Sequence, residues 1–170
     1  HYARGIAQAA LGDTAAASAE LQRLREASAQ IAPETLLVIN AAPLVLRIAE
    51  LKLRAEIDLV QGRSESAIAL LREAVDLEDS LLYMEPPEWM TPIRHTLGAV
   101  LLAAGRAAEA ESVYRRDLEI WPENAWSLLG LSRALEAQSK PDTAVDARRD
   151  AAWQQADFPM TTTCACVRES

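Results

Sequence analysis

The stretch that decides the fold is Pro92–Pro122, PIRHTLGAVLLAAGRAAEAESVYRRDLEIWP. Gly98 and Ala110 stand where two consecutive helices would touch, and a larger side chain at either place would push the two backbones apart. Gly105 supplies the left-handed conformation that closes a first helix, and Pro122 ends a second helix because it has no backbone N–H to donate. The pattern predicts two helices joined by a tight turn.

This pattern resembles the tetratricopeptide repeat, a helix-turn-helix unit of about 34 residues. The repeat has adjacent Leu and Gly in its first helix, Gly at the turn, Ala and an aromatic residue in its second helix, and a closing Pro. In this chain those places are filled by Leu97, Gly98, Gly105, Ala110, Tyr114 and Pro122. The resemblance implies a stack of helix pairs that binds other proteins.

The same spacing recurs along the chain and predicts four helix pairs, the first truncated at its start. The residues at their turns are Gly12, Gly62, Gly105 and Ser139. We therefore expect an all-α fold, a right-handed superhelical stack of antiparallel helix pairs, with insertions between repeats at residues 30–43 and 81–90. The helical domain is expected to span residues 1–158, and residues 159–170 to form a flexible C-terminal tail.

Three local features carry further expectations. The apolar segment from Pro33 to Pro43, bounded by these two prolines, is expected to form a short helix or a buried loop over part of the core. In residues 83–92, Tyr83 and Trp89 either belong to a ligand-contacting lid or staple the loop onto neighbouring helices. Ser139 and Asp142 are spaced as a capping box at the start of the last helix. Ala144 is expected at the small-residue place of that helix.

Composition limits the choice of partners. The chain has 17 Lys and Arg against 25 Asp and Glu, and its formal net charge is −8. A field of this sign repels phosphate backbones, so nucleic acid is not expected as a partner. No apolar run approaches the roughly 20 residues that span a bilayer. Because the sequence starts in the middle of a repeat helix, we expect it to be a piece of a longer protein.

A longer run, residues 78–138, resembles the C-terminal part of longer bacterial tetratricopeptide-repeat proteins. In that group the N-terminal half carries further helical repeats with several His and Cys residues, and an export signal is common. The resemblance implies a periplasmic or exported setting, although a cytoplasmic one stays open. It also implies the N-terminal half of the parent protein as a possible partner. It implies no reaction.

The concave surface of tetratricopeptide-repeat proteins is lined by particular places of the first helix of each repeat. The resemblance transfers these places to Lys52, Glu56, His95, Trp126, Arg133 and Glu136. Such a mixture of charges with one aromatic anchor suits an extended peptide, because scattered donors and acceptors match a peptide backbone and its side chains. The first functional hypothesis is therefore a non-catalytic scaffold that binds a protein or peptide.

The second hypothesis is a metal-handling module, or the C-terminal part of a helical metalloenzyme. Cys164 and Cys166 could bring two thiolates to one Cu(I) or Zn(II) ion, with Met160 and His95 as further ligands if the tail folds back. Two thiols are too few for a closed zinc site. An incidental exposed pair and a redox pair are the alternatives.

Other signatures of catalysis are missing from the sequence. The two histidines lie far apart, no glycine-rich phosphate loop follows a strand, and no Glu and His share a metal-binding spacing. We therefore expect no enzyme activity from this chain alone. In a parent enzyme, Met84, Met90 and His95 could form one wall of the site.

Overall fold

The computed structural model describes residues 1–157 and 160–164, and the regular elements within them are all α-helices. Their bounds are α1 Tyr2–Ala10, α2 Thr14–Ser28, α3 Ala42–Val60, α4 Ser64–Asp79, α5 Ile93–Ala103, α6 Ala107–Ile120, α7 Ala125–Ala137 and α8 Thr143–Trp153. The described residues form no strand, only an isolated bridge between Leu36 and Ala41. The all-α prediction is confirmed. None of the described helices is both long and apolar enough to cross a membrane.

The chain folds as two compact units, His1–Ile93 and Arg94–Ser170. In the first unit α1 contacts α2 and α3, α2 contacts α3, and α3 contacts α4. In the second unit α6 packs on α7, and α7 packs on α8. Within each unit, these helices therefore pack on neighbours in sequence, as the predicted stack of helix pairs requires. The handedness of the stack and the insertions between repeats stay predictions.

The turns within the four helix pairs share one backbone conformation. Gly12, Gly62 and Gly105 have φ angles of +82°, +74° and +73°, and Ser139 has a φ angle of +57°. Apart from the adjacent residues in the chain, no heavy atom of the described residues lies within 4 Å of a Cβ built on any of these three glycines. The backbone angle, not lack of space, therefore explains the preference for glycine. The four turn residues predicted from the repeat spacing are confirmed.

The start of the last helix differs from the prediction. The N-cap of α8 is Asp142, whose side chain accepts hydrogen bonds from the backbone N–H groups of Ala144 and Val145. The capping box that was predicted to begin at Ser139 is wrong, because the left-handed Ser139 follows the end of α7. In α8, moreover, Val145 is buried while Ala144 is exposed, which moves the contact with the core by one residue.

The core of the second unit is built around one aromatic ring. Tyr114 of α6 is fully buried, and a Cβ on Gly98 of α5 would lie 2.3 Å from its Cζ atom. A Cβ on Gly130 of α7 would lie 2.2 Å from the same atom. Both distances are far below van der Waals contact, so glycine at 98 and 130 makes the space that the ring occupies.

The first unit uses the same device with an aliphatic side chain. A Cβ on Gly5 of α1 would lie 2.5 Å from a methyl carbon of Leu53 in α3, so glycine lets these two helices approach closely. The buried cluster around this contact is Ala9, Ala17, Leu21, Leu53 and Ile57, with Tyr2 and Ile6 packed against it.

Two irregular linkers of the first unit, residues 29–41 and 80–92, are tied to each other by side chains. The amide of Asn40 donates to the carbonyl of Leu82 at 3.1 Å and accepts from the backbone N–H of Leu82 at 2.7 Å. The carboxylate of Glu88 accepts from the N–H groups of Ile39 at 2.9 Å and of Asn40 at 3.4 Å. These bonds satisfy backbone groups that have no partner in a helix.

The apolar residues of the first linker do not cover the core. Leu36, Leu37, Val38 and Ile39 are 39 to 66% exposed, so the prediction of a short helix or buried loop is wrong here. Asn40 is the buried residue of this linker, because its amide bridges to the second linker. The rings of Trp89 and Tyr2 pack edge to face with their centroids 5.5 Å apart, and this contact attaches the second linker to α1. Tyr83, in contrast, is 73% exposed.

A candidate peptide-binding face

A short segment near the C-terminus lies against three helices of the second unit. The Tyr114 hydroxyl of α6 donates to Thr163 Oγ1 at 2.8 Å, and Thr96 Oγ1 of α5 is 3.5 Å from Cys164 Sγ. The Arg133 guanidinium of α7 donates to the main-chain carbonyl of Thr161. We call residues 160–164 the tail segment, and the surface formed by Thr96, Tyr114 and Arg133 the tail face.

The tail segment is held by contacts of two kinds. Thr163 and Cys164 are 4% and 2% exposed, whereas the side chain of Thr161 is exposed and only its carbonyl is used. Burial raises the pKa of the Tyr114 phenol above its usual value, and the protonated hydroxyl donates to Thr163. The domain boundary at residue 158 and a flexible tail over 159–170 stay predictions, since positions 158, 159 and 165–170 lie outside the described residues.

Arg133 is one of the groove residues predicted from the sequence, and two others lie on the same helix. Trp126 lies about two helical turns before Arg133 and is half-buried. The rings of Trp126 and Trp153 pack edge to face with their centroids 5.4 Å apart. The Trp153 indole N–H donates to the carbonyl of Ala125 at 3.1 Å. Glu136 lies one turn beyond Arg133 and is exposed. Helix α7 thus carries three of the predicted residues.

His95, the predicted groove residue of α5, belongs to a buried polar network. Its Nε2 is 3.2 Å from Asp117 Oδ2, and the hydroxyl of Ser127 donates to the same oxygen at 2.5 Å. The three residues come from α5, α6 and α7 and are at most 5% exposed. The serine hydroxyl is bonded to the carboxylate and not to the imidazole, so the three side chains are not connected in the order of a Ser-His-Asp triad.

The remaining predicted groove residues, Lys52 and Glu56, lie in the first unit on α3. They are 5% and 8% exposed, and the Lys52 ammonium is hydrogen-bonded to the Glu56 carboxylate one turn away. Burial and the charge of Glu56 raise the pKa of the nearby Tyr2 phenol. The two side chains therefore form an ion pair with each other, and their role in binding a peptide stays a prediction.

The structure describes one of the two cysteines that were predicted to bind metal. Cys164 is buried and disulfide-bonded, and Cys166 lies outside the described residues. Within 1–157 and 160–164, no group of three or more His, Cys, Asp or Glu residues is arranged to hold a metal ion. A copper or zinc site at Cys164 and Cys166 stays a prediction.

Sequence reasoning did not single out Thr96, the Tyr114 hydroxyl or Thr163 as contacts of a bound segment. Tyr114 was predicted as the aromatic residue of the repeat, and its ring fills that role. The signal in the sequence that could have indicated such a contact is the tyrosine hydroxyl. A buried tyrosine needs a hydrogen-bond partner for this group, whereas a phenylalanine at the same position would need none. The identity of that partner, 49 residues away, could not be found from local patterns.

Comparison with known families supports the repeat assignment. The family described as tetratricopeptide repeat matches residues 1–23 and 92–116. The first match covers α1 and part of α2, and the second covers α5 and part of α6. No significant match was found among curated proteins or among solved structures.

Proposed function

We propose, from the premise that this chain is a tetratricopeptide-repeat protein, that it is a non-catalytic scaffold whose second unit binds an extended polypeptide segment on the tail face. Repeats of this kind serve protein interaction in general. The tail face, Thr96, Tyr114 and Arg133, lies on the unit that contains the second family match.

One observation supports this proposal above the others, the bond from Arg133 to the carbonyl of Thr161. A guanidinium is a charged donor, and hydrogen bonds from charged donors are stronger than those between neutral groups. Its acceptor here is a main-chain carbonyl, a group that every peptide offers. A residue predicted from the sequence to contact a peptide therefore contacts a polypeptide backbone in the structure.

A second element of the face gives a place for one side chain. Thr163 is buried, and its hydroxyl oxygen accepts from the Tyr114 phenol. The Tyr114 ring is fixed between Gly98 and Gly130, so its hydroxyl is held in position before a ligand arrives. Because this donor is already fixed, little conformational entropy is lost when a ligand binds to it, and the affinity for the ligand is higher. We expect a ligand residue with a small side chain and an acceptor oxygen at this place.

The absence of catalysis is part of the proposal and has its own support. The buried side chains of His95, Asp117 and Ser127 are connected in an order that differs from that of a Ser-His-Asp triad. Their burial also keeps them from a substrate in solution. We therefore assign this network to holding α5, α6 and α7 together.

The test is selection from a displayed library of random short peptides against the full chain. It is performed in parallel on the wild type and on Thr163→Gln, a variant in which the longer side chain at this buried position is expected to release the tail segment from the tail face. Peptides that bind are measured again with Arg133→Ala placed in the Thr163→Gln chain, where it should weaken them at least about tenfold because the charged donor is lost. Arg148→Ala is the matched control, since Arg148 is exposed on α8 and pairs with Glu123. If neither chain selects a peptide, or if Arg133→Ala binds as well as Arg148→Ala, the proposed face is wrong.

A further inference from the structure

We propose that the tail segment competes with external ligands for the tail face, so that the chain blocks its own binding site until a stronger ligand displaces residues 160–164. This inference rests on the proposed function, because it takes the tail face to be the binding site. It adds a regulatory property, since the apparent affinity for a partner would then depend on the chain's own C-terminal segment.

The contacts of the tail segment are those expected of a bound peptide. Each of the helices α5, α6 and α7 contacts it through a side chain, from Thr96, Tyr114 and Arg133 respectively. The segment presents one main-chain carbonyl, one buried hydroxyl and one buried sulfur atom to them. An external peptide could not form the bonds to Tyr114 and Arg133 while Thr163 and Thr161 occupy them. Binding of the two is therefore mutually exclusive.

The tether between α8 and the tail segment is short. Helix α8 ends at Trp153, so six residues, 154–159, join it to Met160. Short tethers give effective concentrations on the order of millimolar, so even a weakly binding segment stays in place in cis. When the binding-competent state is only a fraction of the population, the apparent Kd of an external ligand rises by the inverse of that fraction. Displacement then needs a ligand with more contacts than five residues can make.

A pair of matched variants separates release of the segment from other effects. Thr163→Gln replaces a 4% exposed side chain with a longer one that does not fit beside the fixed Tyr114 ring. Thr161→Gln adds the same side chain two residues earlier, where the side chain is exposed and only the carbonyl contacts Arg133. Both variants keep the charge of the chain unchanged. We expect Thr163→Gln to release the segment and Thr161→Gln to leave it bound.

The probe is a dye-labelled synthetic peptide with the sequence of residues 160–164, in which Cys164→Ser prevents thiol exchange. Its affinity is measured by fluorescence anisotropy on the full wild-type chain and on both variants. We expect the probe to bind Thr163→Gln at least about tenfold more tightly than it binds the wild type or Thr161→Gln, as an occupancy of the segment above roughly nine-tenths requires. Equal affinity for all three chains, or no binding to any of them, overturns the proposal.

Hydrogen exchange on the wild-type chain gives a second readout that needs no variant. When a peptide selected from the library saturates the chain, the amides of Thr163 and Cys164 should exchange faster, because the segment leaves the face. Unchanged exchange overturns the competition. If library peptides bind the wild type and Thr163→Gln equally and both affinities fall with Arg133→Ala, the competition is wrong while the proposed binding face stands. If no peptide binds either chain, the proposed function itself is wrong.

Discussion

The ring of Tyr114 lies directly against Gly130, so close that a Cβ at position 130 would be 2.2 Å from Cζ of the ring. Gly98 of α5 also meets this ring, with a corresponding distance of 2.3 Å. One side chain of α6 therefore sets how closely both α5 and α7 approach it. Since the hydroxyl of that side chain also reaches Thr163, helix packing and the candidate binding face share a residue.

The first prediction concerns this contact. Replacing glycine with alanine inside a helix usually stabilises it by about 1 kcal/mol. For Gly130→Ala we expect the opposite sign, a loss of about 1 to 3 kcal/mol, because the new methyl group overpacks the ring. Gly98→Leu should cost at least as much. Chemical denaturation of the full chain measures these changes in the free energy of unfolding.

The control for this prediction is a double-mutant cycle with Tyr114→Leu. When Tyr114→Leu has already removed the ring, Gly130→Ala should cost much less than it does in the wild type. Additive effects of the two substitutions would show that the ring is not the cause. An unchanged stability of Gly98→Leu would contradict the placement of Gly98 at the crossing of α5 and α6.

The second prediction concerns the turn between α7 and α8. Ser139 has a φ angle of +57°, where a residue with a Cβ is strained by about 1 to 2 kcal/mol. Ser139→Gly should therefore raise the free energy of unfolding by about 1 kcal/mol. The reverse change, Gly105→Ser, should lower it by a similar amount, since the φ angle there is +73° and the space is open. Thermal unfolding of both variants measures this, and shifts of the same sign would contradict it.

The third prediction concerns the connection between the two linkers of the first unit. Asn40→Ala removes two hydrogen bonds to the backbone of Leu82 and leaves those backbone groups without their partner. A loss of about 1 to 3 kcal/mol is expected from such groups. Thr35→Ala in the same linker, whose side chain is exposed, should change stability by less than about 0.5 kcal/mol. Similar losses in both variants would mean that Asn40 has no special role.

The fourth prediction is a pH dependence at Glu50. Burial raises the pKa of this carboxyl, but hydrogen bonds from Arg25 and Arg47 together outweigh burial, so the pKa is lowered overall. A carboxyl whose pKa is lower in the folded state adds stability above its unfolded pKa of about 4.3 and loses it as the pH falls through the folded value. Glu50→Gln should therefore cost stability at pH 7 and much less near pH 3. Equal losses at both pH values would contradict this linkage.

The fifth prediction tests the metal hypothesis at Cys164 and Cys166. Cu(I) prefers thiolate and thioether ligands, and with Met84, Met90 and Met160 these cysteines are the only such groups in the chain. If the site exists, anaerobic titration under reducing conditions will give stoichiometric binding that disappears in the double variant Cys164→Ser and Cys166→Ser. Binding that is weak, or that survives in the double variant, rejects the metal hypothesis.

The local features of the fold could be predicted because their causes are local. A turn that needs a positive φ angle selects glycine wherever it occurs, and this placed Gly12, Gly62 and Gly105 correctly. The same spacing identified Ser139, although serine carries no such preference by itself. In contrast, the apolar composition of 36–39 suggested burial, while the hydrogen bonds of Asn40 decide which residue of that linker is buried.

The candidate site could be predicted only in part. Arg133 was named because its place in the repeat carries over from a family pattern, and in the structure it is bonded to a polypeptide carbonyl. The partner in that bond, Thr161, is 28 residues away from Arg133. No periodic pattern in the sequence relates Thr161 to α7. The same family pattern predicts Lys52 and Glu56 as groove residues, whereas in the structure the two side chains form an ion pair with each other. Contacts between distant segments depend on the assembled fold, which spacing alone does not give.

The bond between Arg133 and Thr161 has a consequence for how this chain can vary. Every amino acid has a main-chain carbonyl, so many residue types at position 161 can keep the contact with Arg133. Position 163 has no such latitude, because its side chain is enclosed and must offer an oxygen to the Tyr114 phenol. Deep mutational scanning of the tail segment should therefore accept many residue types at position 161 and few at position 163. Peptides selected against the tail face should show the same difference between the two corresponding positions.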